Sequence, residues 1–542
     1  MKRTTLQAVV AATIAISAAY GAAPGITGPT FNLTAQTANL NQPDGAAVYA
    51  WGYGCNGAPA GFAPTMANQN CPSMQVPGPT LIVTEGQTVS VTLTNGLPTS
   101  AGNTSILFPG FTVKTSGGVA GLLTQEAAPG GTVTYTFTAS SPGTRAYYSG
   151  TQSDLQIEMG LYGAVIVLPK TPGGSAGCAA IFTTNANAQK HWNESNFRLS
   201  TAAYDIPQSC YDREYLFQFA EMDPVIHKAA LAQVTATQGC TAGAQGCSLN
   251  VPTEPYHPTY FLINGRSMPD DMDPNYGAEY PHQPYNGNPH LHPGEQVLLR
   301  IIGQGRWQHP FHEHANHVRI LARDGNLVLT PDGQALAGPP LFTTTTTPGM
   351  AMDGIFYFTG RGLNWDMYGH TANSFTKDPQ ALLSCTADAN GYNTGGNAYQ
   401  QINYFEWCQD HNKPLESAPF GDVASGGPAT LPNPNIFTNG NWYGGSPYLG
   451  PDATLRATST LRPSSSGATD SAAGCVTNGS SAPNCTNLQP SNTQANPPNE
   501  RGFAFMWHSH NEREITTNNI FPGGMMMMML VDSREFVIDE SN

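Results

Sequence analysis

The sequence runs to 542 residues, of which 11% are charged, and it carries 58 glycines, 44 prolines and a formal net charge of −15. An acidic surface of this kind repels polyanions, which argues against nucleic acid and anionic membranes as partners. Ten cysteines behind a leader-like start read as disulfides of an exported protein, not as cytosolic metal thiolates.

Residues 1–23 are expected to be a secretory signal peptide. Met1-Lys2-Arg3 is a basic start, residues 6–19 are apolar, and Gly21-Ala22-Ala23 is a small-residue cleavage zone. The apolar run is too short to span a bilayer, and no later run reaches spanning length. Loss of Lys2 and Arg3 leaves 20 basic residues against 37 acidic, a net charge near −17. The expected location is periplasmic, cell-surface or extracellular.

A first unit is expected over 24–170. Leu81-Ile82-Val83, Thr88-Val89-Ser90-Val91-Thr92-Leu93, the 132–137 segment and the 163–167 segment alternate or run apolar between turn signals, as half-buried strands of a β-sandwich do. A second unit is expected over 195–542, with strands at 214–220, 260–264, 296–302, 317–322, 354–359 and 503–508. The five threonines at 343–347 form an edge strand or its approach. No long stretch carries a helical period, so the fold class is all-β. Between 371 and 499 the pattern lapses into Ser, Thr, Asn, Gly and Pro with four cysteines, which reads as a long disulfide-pinned insertion. Ten cysteines admit many pairings; spacing suggests Cys55 with Cys71, Cys178 with Cys210, Cys240 with Cys247, Cys385 with Cys408 and Cys475 with Cys485.

The chemistry concentrates in two segments, His309-Pro310-Phe311-His312-Glu313-His314 and His508-Ser509-His510. Side chains at i and i+2 of a strand share a face, so each His-x-His presents two imidazoles together. Two such pairs on neighbouring strands converge four nitrogen donors, a set suited to copper or zinc. Glu313 alternates to the opposite face. Glu512 lies two residues past His510 and is a candidate proton acceptor. His290-Leu291-His292 reads as a solvated strand entry, His317 as packing along its strand, and the methionines at 525–529 as a buried core strand with adaptable packing.

With their flanks at 294–300 and 521–525, these segments resemble the multicopper oxidase family. The 76–95 segment, Gly143-Thr144 with Tyr147, and the 160–167 segment resemble the opening and close of that family's first domain. The resemblance implies two cupredoxin-like Greek-key β-sandwich domains and copper as the cofactor. By that resemblance His309 matches a ligand of the blue (type 1) copper, His312 one of the type 2 copper, and His314, His508 and His510 ligands of the type 3 pair. Ser509 stands at the thiolate position, Glu514 at the second type 1 histidine, and Met525 near the axial methionine. Leu107, Pro109, Tyr148 and Gly150 stand where the first domain's four histidines belong. A blue site needs a thiolate and two histidines, so none is expected here. Laccase-type oxygen reduction is not expected either. The implied function is that of an exported copper-binding protein, oxidoreductase by resemblance, with one copper ion or two. The alternatives are copper scavenging or buffering without catalysis and a structural surface role. No homo-oligomer is indicated, because the partner face would bring no histidines.

Overall fold

The computed structural model describes residues 23–64, 66, 68–176, 178, 201–291, 295–333, 335–358, 445–449, 460–461, 501–531 and 536–537. The expected leader up to residue 22, His292, nearly all of the 371–499 insertion and its four cysteines lie outside the described residues.

Alternation builds the first half. In Thr88–Asn95 the residues Val89, Val91 and Leu93 turn inward, and Thr132–Thr138 pairs with it antiparallel so that Val133, Tyr135 and Phe137 join them. These strands lie in a five-stranded sheet ordered Ala47–Cys55, Thr30–Asn41, Thr88–Asn95, Thr132–Thr138, Lys114–Gly117. A second sheet is ordered Gly143–Tyr148, Tyr162–Leu168, Leu81–Thr84, Gly25–Thr27, Phe62–Ala63. Leu81, Tyr147 and Val165 from it share one core with the first sheet.

The second half repeats the plan with larger sheets. One runs Tyr260–Ile263, Arg213–Met222, Val297–Gly303, Ala351–Phe356, Val318–Arg323, Asn326–Leu327, with Pro340–Leu341 added to Val318–Arg323. The other runs His290–Leu291, Met526–Val531, Arg501–Ser509, His309–Glu313, Thr343–Thr346, with Gly445–Leu449 added to Arg501–Ser509. Phe217, Phe219, Leu299 and Ile301 of the first pack against Phe311, Phe505, Trp507 and Met527 of the second. The expected strands are all present, with ends within three residues. The threonines form the edge strand, and Met525, Met527 and Met529 lie in the core. The fold is all-β, as expected.

The halves join through apolar contacts such as Val76 and Tyr162 against Met222 and Leu262, and through several buried polar links, of which that of Arg300 joins the most charges. Arg300 donates from Nε to Glu214 Oε2 at 2.7 Å and from Nη1 to Thr144 Oγ1 at 2.9 Å. Thr144 Oγ1 in turn donates to Asp353 at 2.6 Å.

Two features differ from expectation. Pro224–Ala236 is a 13-residue helix, started by Asp223, whose carboxylate accepts from Val225 N at 2.9 Å, with proline in the first turn. Only Ile226, His227 and Ala230 are buried on it, a stripe too thin to register as a helical period. His290 is buried, not solvated, because it begins a short strand paired with Leu530. Disulfides join Cys55 to Cys71, Cys178 to Cys210 and Cys240 to Cys247, as spacing suggested. No described helix is long and apolar enough to cross a membrane.

Candidate metal centre

Period two on two adjacent strands splits the motif residues between the faces of one sheet. Phe311 lies opposite Ser509, His312 opposite His508 and Glu313 opposite Trp507. His309, Phe311 and Glu313 therefore point toward the core with Ser509 and Trp507, while His312 and His508 share the other face. His314 follows the strand end, where Ala315 turns the chain at φ 84°.

On that outer face four imidazoles gather. Ring centroids lie 4.8 Å apart for His312 and His314, 5.6 Å for His312 and His508, 5.1 Å for His312 and His510, and 5.1 Å for His314 and His508. His312 Nδ1 is 2.8 Å from Thr343 Oγ1. His508 Nδ1 donates to the Ser509 carbonyl at 2.7 Å, which leaves its Nε2 with the lone pair, 3.3 Å from His314 Nε2. Burial lowers the His312 pKa to about 4, aided by His508 and His510 and opposed by a backbone bond at Phe342. Burial likewise lowers that of His508.

These two rings are thus neutral near pH 7, the form a metal requires. Among the described residues no three His, Cys, Asp or Glu side chains already surround one point as ligands do. The rings pack edge to face instead, and closing on an ion requires them to rotate. The His314–His508 nitrogen spacing nonetheless equals the edge of a tetrahedron with metal–nitrogen bonds of roughly 2.0–2.1 Å. The donor set fits copper or zinc. His510 and Glu512 are exposed, and the 56%-exposed Phe342 packs edge to face against the His312 ring. Glu313 faces the core, where Thr344 Oγ1 donates to it at 2.5 Å, and burial pushes its carboxyl up to about 8.

The core-facing pocket holds different chemistry. His309 Nε2 is 3.0 Å from Glu221 Oε2, and its Nδ1 is 3.0 Å from Glu514 Oε2, off the line of a full hydrogen bond. Ser509 Oγ donates to Glu514 Oε2, and Asn511 Nδ2 donates to Glu514 Oε1 at 2.9 Å. Glu221 Oε1 accepts from Arg306 N at 2.7 Å and Trp307 N at 2.9 Å. Burial alone would lower the His309 pKa, but the Glu221 hydrogen bond and the close carboxylates of Glu221 and Glu514 outweigh it and hold the ring up at about 9, from 6.5.

A folded-state pKa above the unfolded value means that the contribution is fully present below about 6.5 and is lost as pH rises through 9. The metal-free protein is therefore expected to lose about 3 kcal/mol between pH 7 and 10 through His309, with Glu313 adding a loss in the same direction from its own buried proton. Thermal melts across that range check this. His309→Gln should flatten the upper part of the profile.

Sequence reasoning did not find Glu221. It lies 88 residues from His309, in a strand with no chemical motif, and only a matching inward parity on the facing sheet marks it. In the first half, Leu107 and Tyr148 pair as an antiparallel bridge, and a Cβ on Gly150 would lie 2.8 Å from Leu107 Cγ. The two segments meet there, with the Leu107 side chain over Gly150.

Residues 68–172 match the family model described as multicopper oxidase. This stretch covers the later part of the first half, without Thr30–Asn41 and Ala47–Cys55, and lies outside both histidine pairs. The chain is similar to Laccase 1 of Metarhizium acridum, 37% identical over 117 residues, which are 21% of this chain and 18% of that protein. It is also similar to Laccase abr2 of Aspergillus fumigatus, 36% identical over 99 residues, 18% of this chain and 16% of that protein. The chain thus spans less than a fifth of the length of these curated relatives. Among solved structures it is similar to a blue copper oxidase from Nitrosomonas europaea, at 14% identity over 93% of this chain and 85% of that one, with a TM-score of 0.41.

Proposed function

We propose that this chain, which belongs to the multicopper oxidase family, is an exported copper-binding protein with its metal held by His312, His314, His508 and His510. One ion, or two, would sit there, and no blue centre accompanies it. The observation that carries this reading is the gathering of four imidazoles, each with its ring centroid 4.8–5.6 Å from those of at least two others. His309, expected as a fifth ligand, is engaged by two carboxylates on the other face of the sheet and falls outside the set. Residues 24–170 and 195–542 are read as the two domains.

Copper bound there would supply one-electron redox chemistry. The protein's part is orientation: Thr343 holds the His312 ring and the Ser509 carbonyl fixes the tautomer of His508, the kind of outer support that tunes a metal ligand. His510 gives the cluster its solvent side, and Glu512, two residues on, is the candidate proton acceptor. Leu107, Pro109, Tyr148 and Gly150 offer no imidazole, so oxygen reduction of the laccase type is not part of this proposal.

Copper-loaded protein is expected to hold about one ion per chain, to give a type 2 paramagnetic resonance signal and to lack an intense blue band, since that band needs a thiolate ligand. A strong blue band with narrow hyperfine splitting overturns the ligand assignment. Ser509→Cys alone is expected to leave phenol-dependent oxygen consumption negligible. Robust copper-dependent turnover by the parent, abolished in His312→Ala, would show instead that the retained histidines run oxidase chemistry unaided.

A further inference from the structure

We propose that the core-facing pocket of His309, Ser509 and Glu514 is a metal-free ionic clamp: the His309 ring, held between Glu221 and Glu514, fixes the turn that presents His508 and His510 to the metal. The positioning role rests on the copper reading above, whereas the metal-free character of the pocket stands by itself.

Three observations carry it. First, the pocket's acceptors are already satisfied. Glu221 Oε1 takes two backbone N–H donors, both Glu514 oxygens take side-chain donors, and Ser509 Oγ is committed as a donor to Glu514. A hydroxyl held this way is no substitute for a thiolate, and a copper here would have to break those bonds.

Second, Glu221, His309, Ser509 and Glu514 are all fully buried or within 1% of it. A buried carboxylate persists only when paired and hydrogen-bonded, and removing its partner is costly. An ionised carboxylate only accepts, so a ring facing one on each nitrogen serves both by being a cation. The raised His309 pKa agrees.

Third, Glu514 closes a loop around His510. Its carboxylate takes Ser509 Oγ on one side and Asn511 Nδ2 on the other, Asn511 N donates back to Ser509 Oγ at 3.2 Å, and Met525 N donates to Glu514 O at 2.8 Å. The turn over 510–513 is belted by one side chain, and His309 ties that side chain across the core to Glu221 on the facing sheet. Glu514, His309 and Glu221 are thus positioning residues for a cluster that they do not touch.

The test has two arms on the full-length protein. Crystals of the parent loaded with copper are measured at the copper absorption edge. Anomalous density is expected among His312, His314, His508 and His510, with none at His309, and a peak bonded to His309 Nδ1 overturns the proposal. In parallel, amide hydrogen exchange is followed in the metal-free parent, in Glu514→Gln and in the milder Ser509→Ala. Exchange over 509–514 is expected to quicken roughly tenfold in the variants while the strands keep their protection, and unchanged exchange in both variants overturns the clamp.

The paramagnetic resonance parameters of the bound copper are expected to shift in Ser509→Ala at unchanged stoichiometry, which a role confined to stability would not produce. A parent that binds no copper anywhere sinks the functional reading, and hydrogen exchange then still decides whether the clamp holds the turn.

Discussion

Replacing His312 and His510 together by alanine is expected to abolish copper binding and leave the fold intact. The pair takes one imidazole from each strand, so neither strand keeps two donors on the outer face. Two remaining nitrogens make a poor site for an ion that prefers four ligands. Copper content should fall from about one ion per chain to below about a tenth at concentrations that saturate the parent. The melting temperature of the metal-free variant should stay close to that of the metal-free parent, because His510 is exposed and a ligand adds to stability only its own binding free energy. Metal analysis with thermal melts decides this. Undiminished copper binding would place the site elsewhere.

Arg300→Ala should cost more than any substitution at the metal cluster. The guanidinium is wholly buried between the halves, where it donates to Glu214 and Thr144 and lies 3.7 Å from Asp353. Burial opposes its charge, yet Glu214 and Asp353 outweigh that and raise its pKa. Removing the cation takes the Arg300 charge away from two buried carboxylates, a loss of about 3–5 kcal/mol. A large drop in melting temperature, with copper stoichiometry in the surviving folded fraction unchanged, is the expected result. A drop no greater than that of an exposed substitution such as Arg513→Ala would mean that the link between the halves is not energetically important.

Much of this architecture was legible in the residues. Alternation in Thr88–Asn95 and Thr132–Thr138 marked strands because one face is buried and the other wet. The same parity foretold that His312 shares a face with His508, and that Glu313 turns away. Other features leave no trace at short range. The partners that decide the state of His309 come from Glu221 and Glu514, 88 residues before it and far along the chain after it. The Pro224–Ala236 helix escaped because its buried stripe is only three residues wide, although Asp223-Pro224 is a fair start signal. His290 looked like a solvated entry because the strand that buries it, Met526–Val531, lies near the other end of the sequence.

On the copper reading proposed above, Gly150 imposes an order on any introduction of histidines at 107 and 150. The carbons of Leu107 lie 2.8–3.1 Å from where its Cβ would stand, so a histidine introduced at 150 first would collide with that leucine. Position 107 has to give up its leucine before 150 can accept an imidazole. Each of those first steps also replaces apolar packing with a polar ring that has no ion yet to serve. On that reading the order of the substitutions matters as well as their number, and an engineer adding imidazoles here should begin at 107.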